Sequence, residues 1–356
     1  MRNFAEIDLD AIKHNFQLSV ANEKAVAVVK SDAYGHGAER VALSLDKKTL
    51  AFAVSNVDEA EELARLDLKS PVVILGDGYV PEFERALDAR IVVSLGSIKN
   101  AMILDELARR KGVRARAMLC VDTGMRRDGF NVSDIAGIAA ALELKNVDIS
   151  GVYSHPARSG DDKFTSYQCE KFTSLRRALK GRNDLIFSFP SSASLGFDGF
   201  VPRVGLKLYG LSPSGERCGG LCPALAFRAA ILSARRVKKG EYVGYGNAFR
   251  AGRDMTVATV AAGYADGVPR ALSNKGSVLL HALRAKIVGN ICMDAFMIDV
   301  TDMSFSVGDL VTIIGREGDE EITADDVAQL CGTISYEVLC GISKRVPRIY
   351  KEKEEK

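Results

Sequence analysis

The sequence predicts an α/β protein, a (β/α)8 barrel followed by a mainly-β C-terminal domain. Two observations point to the barrel. Eight short apolar runs occur in the first 210 residues, and helical patterns separate them. A third points to the second domain: after about residue 220, strand-like stretches and turns replace the alternation. Strands buried on both faces read as continuous apolar runs, and strands alternating with helices build a parallel sheet. Eight of them favour closure, because an open doubly wound sheet of this length shows fewer. No GxGxxG follows the first run, which argues against a dinucleotide-binding sheet.

The runs are AVAVVK (25–30), AFAVS (51–55), VVILG (72–76), IVVSL (91–95), ARAMLCVD (115–122), VDISGVYSH (147–155), LIFSFP (185–190) and VGLKLYG (204–210). Between them, Val57, Ala60, Leu63 and Ala64 fall on one helical face, and Asn56 can cap that helix. IKNAMILDELARRK (98–111) repeats the spacing and ends in basic residues that suit the helix dipole. TSYQCEKFTSLRRALK (165–180) is a third helix. The second domain offers AFRAAILSARRV, YVGYGNAF, DMTVATVAAGYA, SVLLHALRAKIVGNICMDAFMIDV and GDLVTIIG as strands. KKGE and GREGDE mark turns between them, and one helix, TADDVAQLCGTI, follows. The expected division is 1–222 for the barrel and 223–356 for the β domain, with the first few residues joining the latter.

Composition narrows the function. Lys+Arg number 48 against 46 Asp+Glu, a net charge of +2, so a strongly basic nucleic-acid binder is not expected. No apolar run reaches the length of a membrane span. The opening MRNFAEIDLDAIKHN has acids and no apolar core, so no secretory signal is expected. Seven scattered Cys read as free thiols of a cytoplasmic protein. Cys218 and Cys222 have no second CxxC and no nearby His, so no metal site is expected.

Lys30 ends the first apolar run. In a barrel the strand C-termini converge on the face that carries active sites. A lysine partly desolvated there has a lowered pKa and a nucleophilic amine. The glycines, Tyr and His of SDAYGHGA (31–38) follow at a strand-to-helix turn, where backbone can approach a ligand.

VVKSDAYGHG (28–37) resembles the pyridoxal 5′-phosphate (PLP) motif of the alanine racemases. The likeness runs in order along nearly the whole chain. EIDLDAIKHN (6–15), VDTGMRRDGF (121–130), YSHPA (153–157), VPRVGLKLYG (201–210), VGYGNAF (243–249), GYADG (263–267), GNICMD (289–294), TISYEVLC (333–340) and KRVPRIY (344–350) match as well. The resemblance implies a cytoplasmic PLP-dependent isomerase that supplies D-alanine as a cell-wall precursor. It implies a head-to-tail homodimer that binds no nucleic acid or membrane. By the same resemblance Lys30 is bonded to the cofactor and serves as the base on one face of the substrate. Tyr245 of the partner subunit is the opposed base. A phenol has a reference pKa near about 10, so it needs help, which the resemblance gives to His155. Arg203 contacts the neighbourhood of His155 and the pyridine nitrogen. An arginine there can only donate, which keeps that nitrogen unprotonated and the carbanion short-lived. Tyr34, Ser191, Ser192, Gly205, Leu206 and Tyr336 are implied at the phosphate. Arg127 is implied at the substrate carboxylate, and Met293, Asp294 and Tyr264 at the substrate entry, across the dimer.

The sequence departs from the family at several points. Cys120 stands where many members carry a carbamylated lysine that holds the substrate arginine, so a bound anion such as chloride, or water, is expected between Cys120 and Arg127. Arg126 replaces a common glycine, Ser191 a usual asparagine, and Pro156 a common aromatic. A related racemase for serine, or one of broad specificity, fits the same motifs. So does a non-catalytic PLP-binding barrel, but such a protein would end near residue 230 and lack Tyr245.

Overall fold

The computed structural model describes residues 1–20, 24–158, 163–182, 184–189, 199–212, 215 and 219–353. β1 (Asn3–Asp8) and α1 (Leu9–Val20) open the chain. The barrel begins with β2 (Val26–Val28), a short turn α2 (Lys30–Gly35) and α3 (Ala38–Leu45). β3 (Ala51–Val54), α4 (Val57–Ala64), β4 (Val72–Ile74), α5 (Phe83–Asp88), β5 (Val92–Leu95), α6 (Ile98–Lys111) and β6 (Ala115–Asp122) continue it. Then come β7 (Phe130–Asn131), α7 (Ile135–Leu142), β8 (Val147–Tyr153), α8 (Lys163–Ala178), β9 (Ile186–Ser188) and β10 (Arg203–Val204). The strand order is β10-β2-β3-β4-β5-β6-β8-β9, and every pair is parallel. Val201 N donates to Phe187 O across the remaining gap, at 2.9 Å. The sheet is therefore a nearly closed parallel barrel of eight strands, with β7 paired only to β6.

Local chemistry explains the elements. β3 and β5 are buried along their whole length, so their apolar runs have no polar face to alternate with. Asn56 accepts from Glu59 N at 2.9 Å and starts α4. Ser97 does the same for α6, and Gly112 at φ 65 stops it. One expected strand is mostly something else. Of VGLKLYG only Val204 is strand, and Leu206–Tyr209 form a 3-10 turn. Leu206, Leu208 and Tyr209 are all buried, and a short run apolar on every side does not tell strand from turn.

The second half is mainly β. Its strands are β11 (Leu225–Val237), β12 (Tyr242–Val243), β13 (Phe249–Arg250), β14 (Met255–Val260), β15 (Ser277–Leu280), β16 (Leu283–Lys286), β17 (Phe296–Asp299), β18 (Leu310–Glu317), β19 (Glu320–Ile322) and β20 (Arg348–Lys351). Long β11 is the spine. It pairs antiparallel with β1, β14 and β18, and its residues Leu225, Phe227, Ala229 and Ile231 alternate into the core. β1 lies between β11 and β20, so the start of the chain belongs to the C-terminal sheet. α9 (Ala324–Cys331) is the expected helix, opened by a Thr323–Asp326 capping box. α10 (Ser335–Cys340) was not expected as a helix. It is one turn and a half long, too short for a periodic signal.

Among the described residues no helix is long and apolar enough to cross a membrane. The described cysteines are free thiols.

Candidate active site

β2 delivers Lys30 to the C-terminal mouth of the barrel. The next four residues, Ser31, Asp32, Ala33 and Tyr34, all take φ 53 with ψ between 42 and 49. That is a left-handed turn without glycine, unfavourable by about 1–2 kcal/mol per residue. Neighbouring groups over-determine it, as such strain requires. Ser31 N donates to Glu59 Oε1 at 2.8 Å, and Ala38 N to Asp32 Oδ1 at 2.8 Å. His36 Nδ1 lies 3.1 Å from Ala33 O and 3.0 Å from Tyr34 O. Both partners are carbonyls, so Nδ1 is the donor. Arg348, on β20, donates from Nε to Gly35 O at 3.0 Å and ties the turn to the C-terminal sheet.

The turn forms one wall of a cavity of about 550 Å³ at the barrel mouth, lined by Lys30, Tyr34, Arg127, His155, Arg203 and Tyr336 among others. That is the size of a small-molecule site. Burial, then the charge of Arg127, lowers the Lys30 pKa. Burial, then Arg203, Arg127 and Lys30, lowers that of His155 to about 3, so its imidazole is neutral. Arg203 is 5% exposed. Its Nη1 donates to Ser188 O at 2.9 Å and Oγ at 2.7 Å, and its Nη2 to Ser154 O at 2.5 Å. The same Nη2 is 3.4 Å from His155 Nδ1, and the guanidinium sits over the Tyr153 ring at 5.2 Å. Burial raises the Tyr336 hydroxyl to about 12 and pushes Tyr34 up further, so both remain hydrogen-bond donors.

Gly205 also lines the cavity, whereas the Leu206 side chain is buried in the core. Ser191 and Ser192 lie outside the described residues. Tyr245, Tyr264, Met293 and Asp294 do not line this chain's cavity. The first three are 74%, 45% and 53% exposed on the second domain. Tyr245 sits between Gly244 and Gly246, both at positive φ, and Asn290 Nδ2 donates to its carbonyl at 2.9 Å. The Asp294 carboxylate is held by Arg345 Nη2 at 2.7 Å.

Of the lining residues that escaped the sequence reading, Tyr153, Cys340 and Asp128 bear most on the chemistry. Tyr153 closes the floor, accepting from Gly76 N at 2.7 Å and donating to Ser94 Oγ at 2.9 Å. It lies two residues before His155, on the same face of the strand run, which is the signal that would have found it. Cys340 enters from α10. Asp128, beside Arg127, has its Oδ1 3.6 Å from Arg127 Nε and 3.7 Å from Cys120 Sγ. A carboxylate of the chain itself is thus within reach of both Cys120 and Arg127.

The donor set fits pyridoxal phosphate. A covalently available amine, three arginines and three tyrosines line one cavity, and together they suit an aldehyde that carries a phosphate dianion. The alanine racemase N-terminal domain model matches residues 7–213 and the C-terminal domain model residues 224–350. An alanine racemase of Halothermothrix orenii is 37% identical over 98% of this chain and 97% of its own length. One of Methanococcus maripaludis is 36% identical over 98% of both. Among solved structures, an alanine racemase of Clostridium difficile superposes with a TM-score of 0.91 at 31% identity, over 100% of this chain and 97% of the other. One of Bartonella henselae, described with covalently bound pyridoxal phosphate, does so at 0.88 and 30% identity, over 99% and 100%. With both halves matched and its full length aligned, the chain belongs to the PLP-dependent alanine racemase family.

Proposed function

We propose that this protein interconverts L-alanine and D-alanine with pyridoxal 5′-phosphate as its cofactor. One observation carries the reading: the half-buried Lys30 amine, of lowered pKa, opens into a cationic cavity of cofactor size. Full-length likeness to alanine racemases supports the substrate.

In this reading Lys30 holds the cofactor through its ε-amine. When bound, pyridoxal phosphate acidifies the substrate Cα–H by withdrawing its electrons. Lys30 would then take a proton from Cα as the amine, or return one as the ammonium, on one face. Tyr245 of the partner subunit does so on the other. Its exposure and its pinned backbone suit a residue used by a second chain. His155 assists that tyrosine. With its pKa lowered to about 3 it stays neutral and helps as a hydrogen-bond partner, not by taking up the proton; the 3.4 Å contact with Arg203 makes Nδ1 an acceptor and leaves Nε2–H to donate toward the tyrosine oxygen. Arg203, satisfied on its inner side by Ser188 and Ser154, donates to the pyridine nitrogen. Tyr34, Tyr336, Gly205, Leu206, Ser191 and Ser192 hold the phosphate. Arg127 binds the substrate carboxylate, and Met293, Asp294 and Tyr264 shape the entry. The assembly is a head-to-tail homodimer, and residues 1–222 and 223–356 are its two domains, with the first residues joining the second. The setting is cytoplasmic, supplying D-alanine for the cell wall.

The test is a chiral assay with added cofactor in D2O. L-Alanine should yield D-alanine deuterated at Cα. Lys30→Ala should lower the rate by at least about 10³-fold, as loss of a bonded base does. Tyr245→Phe should slow proton removal from one enantiomer more than the other. A wild type that leaves L-alanine unchanged overturns the reading.

A further inference from the structure

The cavity at the barrel mouth concentrates positive charge, yet one acid faces it. Among the described residues Asp128 is the only carboxylate in its lining. A negative group in a pocket for anions repels them, unless its charge is spent on a neighbouring cation. Asp128 has such a neighbour. Its Oδ1 is 3.6 Å from Arg127 Nε, and among the described residues no other acid pairs with Arg127.

The fold fixes the acid more firmly than the base. β7 returns beside β6, with Phe130 opposite Val121, and so brings residue 128 back against residue 120. There the Cys120 thiol donates to Asp128 Oδ1 at 3.7 Å. Burial, then the charge of Asp128, raises the Cys120 pKa to about 12, so the thiol keeps the proton it donates. On the other side Gly76 leaves room: a Cβ there would come within 3.3 Å of Asp128 Oδ2. The Asp128 side chain is 22% exposed, that of Arg127 55%. A long, exposed arginine needs restraint before it can select a geometry. A charge at its Nε leaves the two Nη atoms for another anion, and that forked end suits a carboxylate.

We propose that Asp128 is a positioning residue. It holds Arg127 by the Nε side, so that the forked end is presented to the carboxylate of the amino-acid substrate. The Cys120 thiol holds Asp128 in turn. This rests on the reading of Arg127 given above and deepens it.

Asp128→Asn, which keeps the shape and removes the charge, tests it in the holoenzyme. Propionate, a carboxylate without an amine, is titrated by calorimetry, and KM and kcat are measured for L-alanine. Propionate affinity should fall and KM should rise, each about tenfold, as for loss of one charge-assisted contact. kcat should stay within about threefold, because the interaction is equal in ground and transition states. Cys120→Ala, which keeps the charge, should shift both by no more than about threefold. Asp128→Ser gives the same readouts should the asparagine variant fail to fold. Tighter propionate binding in Asp128→Asn would make Asp128 a mere charge screen and overturn the proposal. So would unchanged affinity and KM, or a fall in kcat at constant KM. Arg127→Ala separates the two readings. If it binds propionate as well as wild type, the role of Arg127 fails and this proposal with it. If it loses propionate while Asp128→Asn does not, only this proposal fails.

Discussion

Arg203 is a cation almost without solvent, and it is held by acceptors instead of by an acid. Ser188 O, Ser188 Oγ and Ser154 O receive its protons. Burial lowers its pKa to about 10, which still leaves it charged at neutral pH. A guanidinium is planar and serves several acceptors at once, whereas an ammonium is a point. Arg203→Lys should therefore strand at least one buried acceptor and destabilise the fold by about 1–3 kcal/mol, measured by urea denaturation. An unchanged midpoint would mean that these contacts are not all made. The cation was legible in VPRVGLKLYG, but its acceptors were not. Ser154 follows β8 and Ser188 ends β9, and no spacing in the sequence relates them to residue 203.

The left-handed turn after β2 is the element on which the site depends. It points Lys30 and Tyr34 into one cavity, and its strain is opposed by Glu59, Asp32, His36 and Arg348. Of Ser31, Asp32, Ala33 and Tyr34 only Asp32 is of a type that tolerates positive φ, and one such residue does not reveal a four-residue turn in composition. The glycines beside it carry the trace. Gly37 has φ +93, and a Cβ on it would come 1.8 Å from Tyr350 Oη. That tyrosine lies on β20, under Arg40 at 4.9 Å from its ring. Gly37→Ala should lower stability by about 1–3 kcal/mol, through both φ strain and the clash. Gly252→Ala, with nothing within 4 Å, should stay within about 0.5 kcal/mol. Equal thermal midpoints for the two variants would show that the turn tolerates displacement.

For the molecule as a whole, one buried and one half-buried imidazole, His36 and His155, weaken the fold toward acid pH. His36 is 0% exposed, and its Nε2 has no hydrogen-bond partner among the described residues. Burial lowers its pKa to about 4 and that of His155 to about 3. In the unfolded chain both return to about 6.5. Between these values the unfolded state binds more protons, so stability is full above pH ~6.5 and falls as the pH drops through the window. For His36 the loss should approach about 3 kcal/mol by pH ~4. Urea midpoints from pH 7.5 downward measure it. His36→Gln should flatten the slope, and stability independent of pH down to about 4.5 would mean that the imidazoles are accommodated as cations.

The sequence by itself determined the barrel, the mainly-β second half and the lysine at the end of the first barrel strand. These follow from short-range facts: which residues avoid water, how often, and what caps them. The helices at 57–64 and 98–111 were readable because apolar spacing, the Asn56 cap of the first and the basic end of the second all act within a few residues. Only the tertiary structure decided which strands β1 pairs with, that Tyr153 and Arg203 stack, and that Asp128 comes within reach of both Cys120 and Arg127. Each of these depends on strand register and loop return, which bring distant residues within a few ångströms. A linear pattern of polarity records which face a residue turns inward, but not what it meets there.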